Sequence, residues 1–519
     1  MDKDLLANRI TARVRAPILL LGGLLLLCLF YLGVVLNVPY TADAGTVMTM
    51  AQAVIDGNIL LKGWILGTVS FFTTELPFYV AGILSLGFTW KVIYVISALH
   101  WALIALLVIL LGTGPQDAPN LRARIAIPIS LTIYLAELAI NSQYLSSGHL
   151  VAFAYCLLCL LLIRRMEVNP HWAQYLGYSI LLTLSMIGDA FALYLLAIPV
   201  AAVCLARLVS RGPRWLSLPL LGTTLASSAL SIGILAVLHG LGGATWLGPS
   251  AVFVGLRALA GNVLLVGRAA LDLFDASWPA SSFSPLPWAL TVLHLSGPVL
   301  LLVVMVAVLK TITRQSLSTQ ITLAVIVLNV LENLLSTRAG APRYLAPTLI
   351  FGCVLISQVV SQTPLFRDRR EWVLLYFSVL GLSLVPRLTY AKPTSQSDAL
   401  AKDLVVLHLQ NGYAPYWRSN STTVATAGQV TVRPVYSFDG NVAPYPCFSD
   451  PDWYNAFANF LVVETADTSG WQPSREQAVR IFGQPAGVYS LGAYGDLLVW
   501  NRDITPLLGR GGSDCAFRP

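Results

Sequence analysis

The sequence predicts a mostly α protein: a polytopic transmembrane helical bundle followed by a small extracytoplasmic α/β domain. Three observations carry this. Hydrophobic residues make up 56% of the 519, charged residues only 11%, and the mean hydropathy is +0.71; an ordinary soluble chain carries about 25% charged residues. Long apolar runs recur up to residue 389. Beyond it the pattern changes to short alternating runs split by turn residues. A soluble enzyme, a disordered chain and a disulfide scaffold are excluded.

A membrane-crossing helix needs about 20 apolar residues. The runs that qualify are 17–37, 91–112, 123–141, 149–163, 174–188, 190–208, 216–239, 287–309, 318–335, 344–362 and 371–387. Lys and Arg gather in alternate short loops, which places those loops on the cytoplasmic side. Lys3, Arg9, Arg13 and Arg15 put the N-terminus inside, and the alternation leaves the C-terminus outside. The run 76–89 breaks the parity. It is either a short embedded segment or pairs with 59–72, so the span count is 11–13. The formal net charge of +7 reflects this loop bias and predicts no nucleic-acid partner.

Residues 1–389 therefore form the membrane part, with two large outer loops, 38–75 and 240–286. In the first, Met48, Ala51, Val54 and Ile55 fall at helical spacing and predict an amphipathic helix on the outer surface. Residues 390–519 form the outer domain. A helix is expected over 396–411, ending at Gly412. Strands are expected in STTVATAG, VTVRPVY, NFLVVET and DLLVWNR, and a capped helix in SREQAVRIFG. Cys447 and Cys515 lie in this polar region and suggest one disulfide in an oxidising compartment. The other five cysteines sit in apolar runs as small core residues. Asn420-Ser421-Thr422 matches a glycosylation sequon.

Acids are scarce in the membrane part. Asp43, Asp56, Glu75, Glu137, Asp189, Asp272, Asp275 and Glu332 all fall near the outer side of this topology. Ionisable groups there cost about 2.5–3.5 kcal/mol each on insertion scales and are functional candidates by default. Asp43 is a base at a cavity mouth or an N-cap. Glu75 is a second active carboxylate or a charge opening a helix. Asp189 is a functional acid or a helix-end charge, and His149 a substrate contact or a structural hydrogen-bonder. Arg338 and Arg343 suit phosphate oxygens; Glu332 offers Arg338 a plain ion pair instead. No HxH, HExxH or DxD occurs, so no metal ligand set is assigned and a divalent metal is left open.

Three short elements resemble the GT-C superfamily of membrane glycosyltransferases, nearest the protein O-mannosyltransferase and lipid A aminoarabinose transferase group. Asp43 in TADAG matches an acid after the first span. Glu75-Leu76-Pro77 matches a Glu-Lys-Pro element with Leu in place of Lys. Arg338 before Pro342-Arg343-Tyr344 matches a basic residue before Pro-x-Tyr. FGQPAGVYSLGAYGDLLVWNRDI is similar to the outer-domain ending of bacterial members.

The resemblance implies transfer of a sugar, with inversion, from a polyprenyl-phosphate carrier to a lipid, glycan or protein acceptor at the outer face of a bacterial inner membrane. Asp43 would orient or deprotonate the acceptor, with Glu75 beside it. Arg338 and Arg343 would meet the donor phosphate, and Tyr344, His149 and Asp189 are candidate substrate contacts. No further cofactor is implied. The alternatives are a polymerase or ligase of lipid-linked oligosaccharide, for which Arg257 and Arg268 in the 240–286 loop speak, and a secondary transporter or flippase, which would show internal repeats.

Overall fold

A computed structural model describes residues 3–67, 69–113, 121–140, 149–210, 214–246, 253–276, 285–337, 339–360, 370–389, 396–464, 471–492 and 495–512. The chain is mostly helical, with a small sheet domain at its C-terminal end. The helices of the first part are α1 (Lys3–Val35), α2 (Ala42–Ile55), α3 (Glu75–Leu86), α4 (Trp90–Gly112), α5 (Leu121–Ile140), α6 (Leu150–Val168), α7 (Trp172–Gly188), α8 (Ile198–Val209), α9 (Arg214–Gly240), α10 (Leu259–Leu273), α11 (Pro285–Lys310), α12 (Leu317–Leu335), α13 (Ala346–Val360) and α14 (Arg370–Thr389).

Over the described residues, each of the eleven apolar runs falls mainly on one of these helices, 190–208 being shared between α8 and the irregular turn before it. Five segments are long and apolar enough to cross a membrane: Trp90–Gly112, Trp215–Gly240, Pro287–Lys310, Leu317–Leu335 and Pro342–Val360. On α9 the outward residues Leu218, Leu225 and Ile232 are each more than half exposed. Such a bare apolar face demands an apolar surrounding. With α13, helix α4 is among the most buried of the five. Its Trp101 stacks against Tyr31 of α1, with ring centroids 6.2 Å apart.

The 59–72 segment forms no helix, so it does not supply a partner span for 76–89. It holds turns and the two-residue strand β1 (Ile65–Leu66), which pairs in parallel with β2 (Thr245–Trp246). Gly57 and Gly63 take positive φ in these turns, a conformation that breaks a helix. Helix α3 has only 12 residues, about 18 Å at 1.5 Å per residue, which is short of the roughly 30 Å bilayer core. The 240–286 stretch is also not simply a loop. It contains α10, whose buried Asn262 donates to the carbonyls of Leu334 (2.8 Å) and Ser336 (3.0 Å), capping the end of α12.

Between α7 and α8, residues Leu193–Ala197 form a π-helical turn. It lies four residues after Asp189, in keeping with the tendency of such turns to cluster at functional sites.

The C-terminal domain comprises α15 (Gln396–Val406), β3 (Asn411–Pro415), α16 (Tyr416–Ala425), β4 (Thr431–Phe438), β5 (Asn441–Pro444), β6 (Phe460–Val463), α17 (Arg475–Phe482), β7 (Gly487–Ser490) and β8 (Asp496–Val499). The sheet order is β5-β4-β3-β6-β8-β7, with β3 parallel to both β4 and β6. Two expectations fail here. The helix expected over 396–411 stops at Val406, and His408 turns the chain with φ 53. STTVATAG is not a strand: its first five residues are the second half of α16, and Thr426, Ala427 and Gly428 turn the chain after it. Its hydroxyls fold back on the helix, Thr422 donating to Arg418 O at 2.6 Å and Thr423 to Ser419 O at 3.4 Å. Tertiary packing thus overrides β-propensity. Ser474 caps α17 by accepting from Gln477 N at 3.2 Å, and Gly483 ends it at φ 73.

Helix α16 packs on α2, and a single glycine sets how close they come. A Cβ on Gly45 would stand 2.6 Å from Ser421 N and 2.7 Å from Asn420 C. Asn420 Nδ2 donates to Thr46 Oγ1 across this seam at 3.1 Å. Cys447 is fully buried and disulfide-bonded; Cys515 lies outside the described residues, as does Arg338.

Candidate functional site

Helix starts and ends build the site. Thr41 is the N-cap of α2, so Asp43 is not. Asp43 sits in the first turn, where its charge suits the helix dipole, and its Oδ1 accepts from Tyr416 OH at 2.8 Å. Thr46 Oγ1 lies 3.3 Å from the same phenol. Burial first, then the Asp43 carboxylate, hold Tyr416 well above the ordinary tyrosine range, so it stays a donor. The helical part and the sheet domain meet at this point.

Glu75 opens α3 and is fully buried. Its Oε1 accepts from Val151 N at 3.3 Å, at the start of α6. One carboxylate thus serves two helix N-termini. Among the described residues its Oε2 has no hydrogen-bond partner. Leaving an acceptor buried and unpaired is costly, which marks the position as more than a cap.

His149 is the N-cap residue of α6, with φ 80. Left-handed backbone at a non-glycine residue costs about 1–3 kcal/mol and concentrates at functional sites. Its Nδ1 pairs with Asp189 Oδ2. Asp189 ends α7, as a helix-end charge would, and its Oδ1 also accepts from Phe191 N at 2.9 Å. The ring of His149 lies against Phe191, with centroids 5.0 Å apart. Its side chain stays 25% exposed and, among the described residues, Nε2 makes no hydrogen bond. An acid on one ring nitrogen and an open second nitrogen is the arrangement of an oriented general base.

The charges of Glu75, Asp189 and Arg343 all act on His149, and those of Glu75 and Asp189 on each other. Arg343 supplies the positive charge of this group. Arg343 is exposed; its Nη2 donates to Tyr344 OH at 3.0 Å, and its guanidinium lies 4.9 Å from that ring's centroid. The Tyr344 carbonyl accepts from Asn329 Nδ2 at 2.9 Å and Asn333 Nδ2 at 3.3 Å, fixing the loop to α12.

Glu75, His149, Asp189 and Arg343 thus form one electrostatic group. Asp43 is tied to Tyr416 instead, and a run of rings leads back from there. Tyr416 lies 6.5 Å from Phe448, and Phe448 lies 6.2 Å from Phe71. Phe71 N and Ser70 N both donate to Gly188 O, beside Asp189. The spacing of residues did not reveal the His149–Asp189 pair, since 40 positions separate its members. The signal present was weaker: a histidine following a glycine at a turn and an acid at an interrupted apolar run.

A second buried pair, Glu137 on α5 and His294 on α11, stands 3.3 Å apart. His294 Nδ1 also contacts Phe274 O at 3.1 Å and its Nε2 contacts Ser383 Oγ at 3.2 Å, so both ring nitrogens are engaged. The reading of bases and acids from the sequence gave His294 no role, and its packing is that of a satisfied core histidine. Among the described residues no group of three or more His, Cys, Asp and Glu side chains is placed to hold a metal ion. No family model and no curated protein matches the chain.

Proposed function

We propose that the protein is a multi-pass membrane glycosyltransferase of GT-C type, transferring a sugar from a polyprenyl-phosphate carrier to an acceptor hydroxyl at the outer membrane face. The observation that carries this reading is the His149–Asp189 pair, with its open Nε2, sharing one electrostatic group with Arg343. A base and a phosphate-binding cation are the two groups that such a displacement needs.

Asp189 holds the His149 tautomer and leaves Nε2 as the proton acceptor. The acceptor oxygen attacks the anomeric carbon while its proton passes to Nε2. The bond from that carbon to the phosphate oxygen breaks, and the polyprenyl phosphate leaves with its charge beside Arg343. One displacement gives inversion. Glu75 keeps the start of α6, and so His149, in place. Asp43 and Tyr416 hold the sheet domain over the site as a roof. In this reading the N-terminus is cytoplasmic, the sheet domain extracytoplasmic, and the segments carrying the eleven apolar runs cross the bilayer.

The test uses full-length protein in detergent with radiolabelled polyprenyl-phosphate hexoses, and follows release of polyprenyl phosphate. His149→Gln is expected to lower the rate about 10²–10⁴-fold, the usual worth of a general base, with Asp189→Asn close behind. Asp43→Asn leaves the base in place and costs far less. A reversed order, Asp43→Asn abolishing transfer while His149→Gln retains it, moves the base to Asp43. Release from none of the donors, with unchanged envelope glycans in a deletion strain, overturns the reading.

A further inference from the structure

A cavity of mixed polar and apolar lining lies in the sheet domain, lined among the described residues by that domain alone. Its volume is about 250 Å³. Arg433 of β4 and Trp453 form one wall, with the guanidinium carbon 3.8 Å from the ring centroid. The edge of buried Trp64 braces Trp453 from outside the domain, with centroids 4.8 Å apart. The stacked pair is therefore held rather than free to swing.

Among the described residues the Arg433 guanidinium makes no hydrogen bond and no ion pair. Burial lowers its pKa to about 10, which leaves it cationic at neutral pH. Its N–H donors line the cavity without a protein acceptor among the described residues, and are open to the oxygens of a ligand. Phe457, 54% exposed, lines the same cavity. So does Asp452, and the charge of Asp450 also reaches Arg433.

We propose that this cavity binds one carboxylate-bearing sugar ring, the carboxylate on Arg433 and the ring against Phe457. The planar fork of arginine fits a carboxylate through two parallel bonds. Two neighbouring acids repel a dianion more than a monoanion, which favours a carboxylate over a phosphate monoester. The volume falls below the roughly 300–1,000 Å³ of drug-sized sites, so one ring fits and an oligosaccharide does not. The aromatic wall suits the C–H face of a ring. This site is separate from the transfer chemistry, and its occupancy needs no transfer.

The test is calorimetric titration of the full-length protein in detergent with glucuronate, glucose, acetate and glucose 6-phosphate. Glucuronate is expected to bind at least tenfold more tightly than each of the others. Arg433→Lys keeps the charge but loses the fork, and is expected to weaken glucuronate at least tenfold with an unchanged melting temperature. Phe457→Ala, at an exposed position, is expected to weaken glucuronate while leaving the fold intact. Equal binding of acetate or glucose, tighter binding of glucose 6-phosphate, or no effect of Arg433→Lys overturns the proposal. Because the readout is binding, a failure here and a failure of the transferase reading are told apart.

Discussion

Replacing Gly45 with Ala tests whether the α2–α16 seam holds the two parts of the chain together. The new Cβ would stand 2.6 Å from Ser421 N, where an ordinary contact begins at 3.4 Å. About 0.8 Å must be found, and the opposing atoms are α16 backbone, which has no rotamer to change. Overpacking of this kind costs about 1–3 kcal/mol. Alanine also gains about 1 kcal/mol over glycine within a helix, so the raw effect is blunted. Gly267→Ala on α10 supplies the reference, since nothing lies within 4 Å of its added Cβ. The difference between the two variants isolates the steric cost. Over 519 residues it corresponds to a melting temperature about 1–3 °C lower for Gly45→Ala, at about 2.1 cal/mol/K of unfolding entropy per residue. Thermal unfolding followed by intrinsic fluorescence in detergent measures it. If both variants melt at the same temperature, or Gly45→Ala melts higher, the seam is not close-packed and the reasoning is wrong.

Three further outcomes are expected. Tyr416→Phe removes the donor to Asp43 and should destabilise by about 1.5–3 kcal/mol, the worth of a hydrogen bond to a charged group; in a double-mutant cycle Asp43→Asn should recover part of that loss, and strictly additive effects would refute the pairing. Cys447→Ser should cost about 2–5 kcal/mol, read as a lower melting temperature, with wild type under reductant falling to match it. For Asp503, partial burial pushes the carboxyl up, but the N–H groups of Ala458 and Thr505, each donating at 3.0 Å, outweigh this and hold its pKa below 3.8. A depressed carboxyl stabilises the fold above its unfolded pKa and loses that contribution as pH falls through the folded value. Wild type should therefore lose stability below about pH 4, and Asp503→Asn should flatten that slope; an unchanged slope counts against the hydrogen bonds.

The helices were legible because their signal is local. Runs such as 91–112 and 216–239 need only composition and length, and α2 was legible as a helix from its periodicity; the expected outer-surface amphipathic placement fails, because Ala44–Ala51 are buried all round between α3 and α16. Local patterns failed where packing decides. Ser421-Thr422-Thr423 has strand-like chemistry, yet it forms α16 because small hydroxylated residues let that helix approach Gly45. Segment 59–72 has the apolarity of a span, but Gly57 and Gly63 turn it into an irregular strap. The candidate site was legible as a set of rare charges and not as an arrangement. Asp43 and Glu75 both stood out, but nothing in their spacing said that Asp43 faces Tyr416, some 373 positions along the chain, or that Glu75 reaches the start of α6. His149 and Asp189 are brought together by two helix termini meeting, an event with no linear signature.

The five-residue π turn from Leu193 to Ala197 makes the chain intolerant of changes in length there. Each residue of an α-helix advances the direction of its side chains by about 100°. Dropping one residue from the turn would regularise the helix and swing everything on one side of it by that angle relative to the other. With Ile198–Val209 anchored among its neighbours, the rotation would fall on Asp189, carrying its carboxylate away from the imidazole it orients. A one-codon deletion in that stretch would thus leave every charged residue in the sequence and still dismantle the pair.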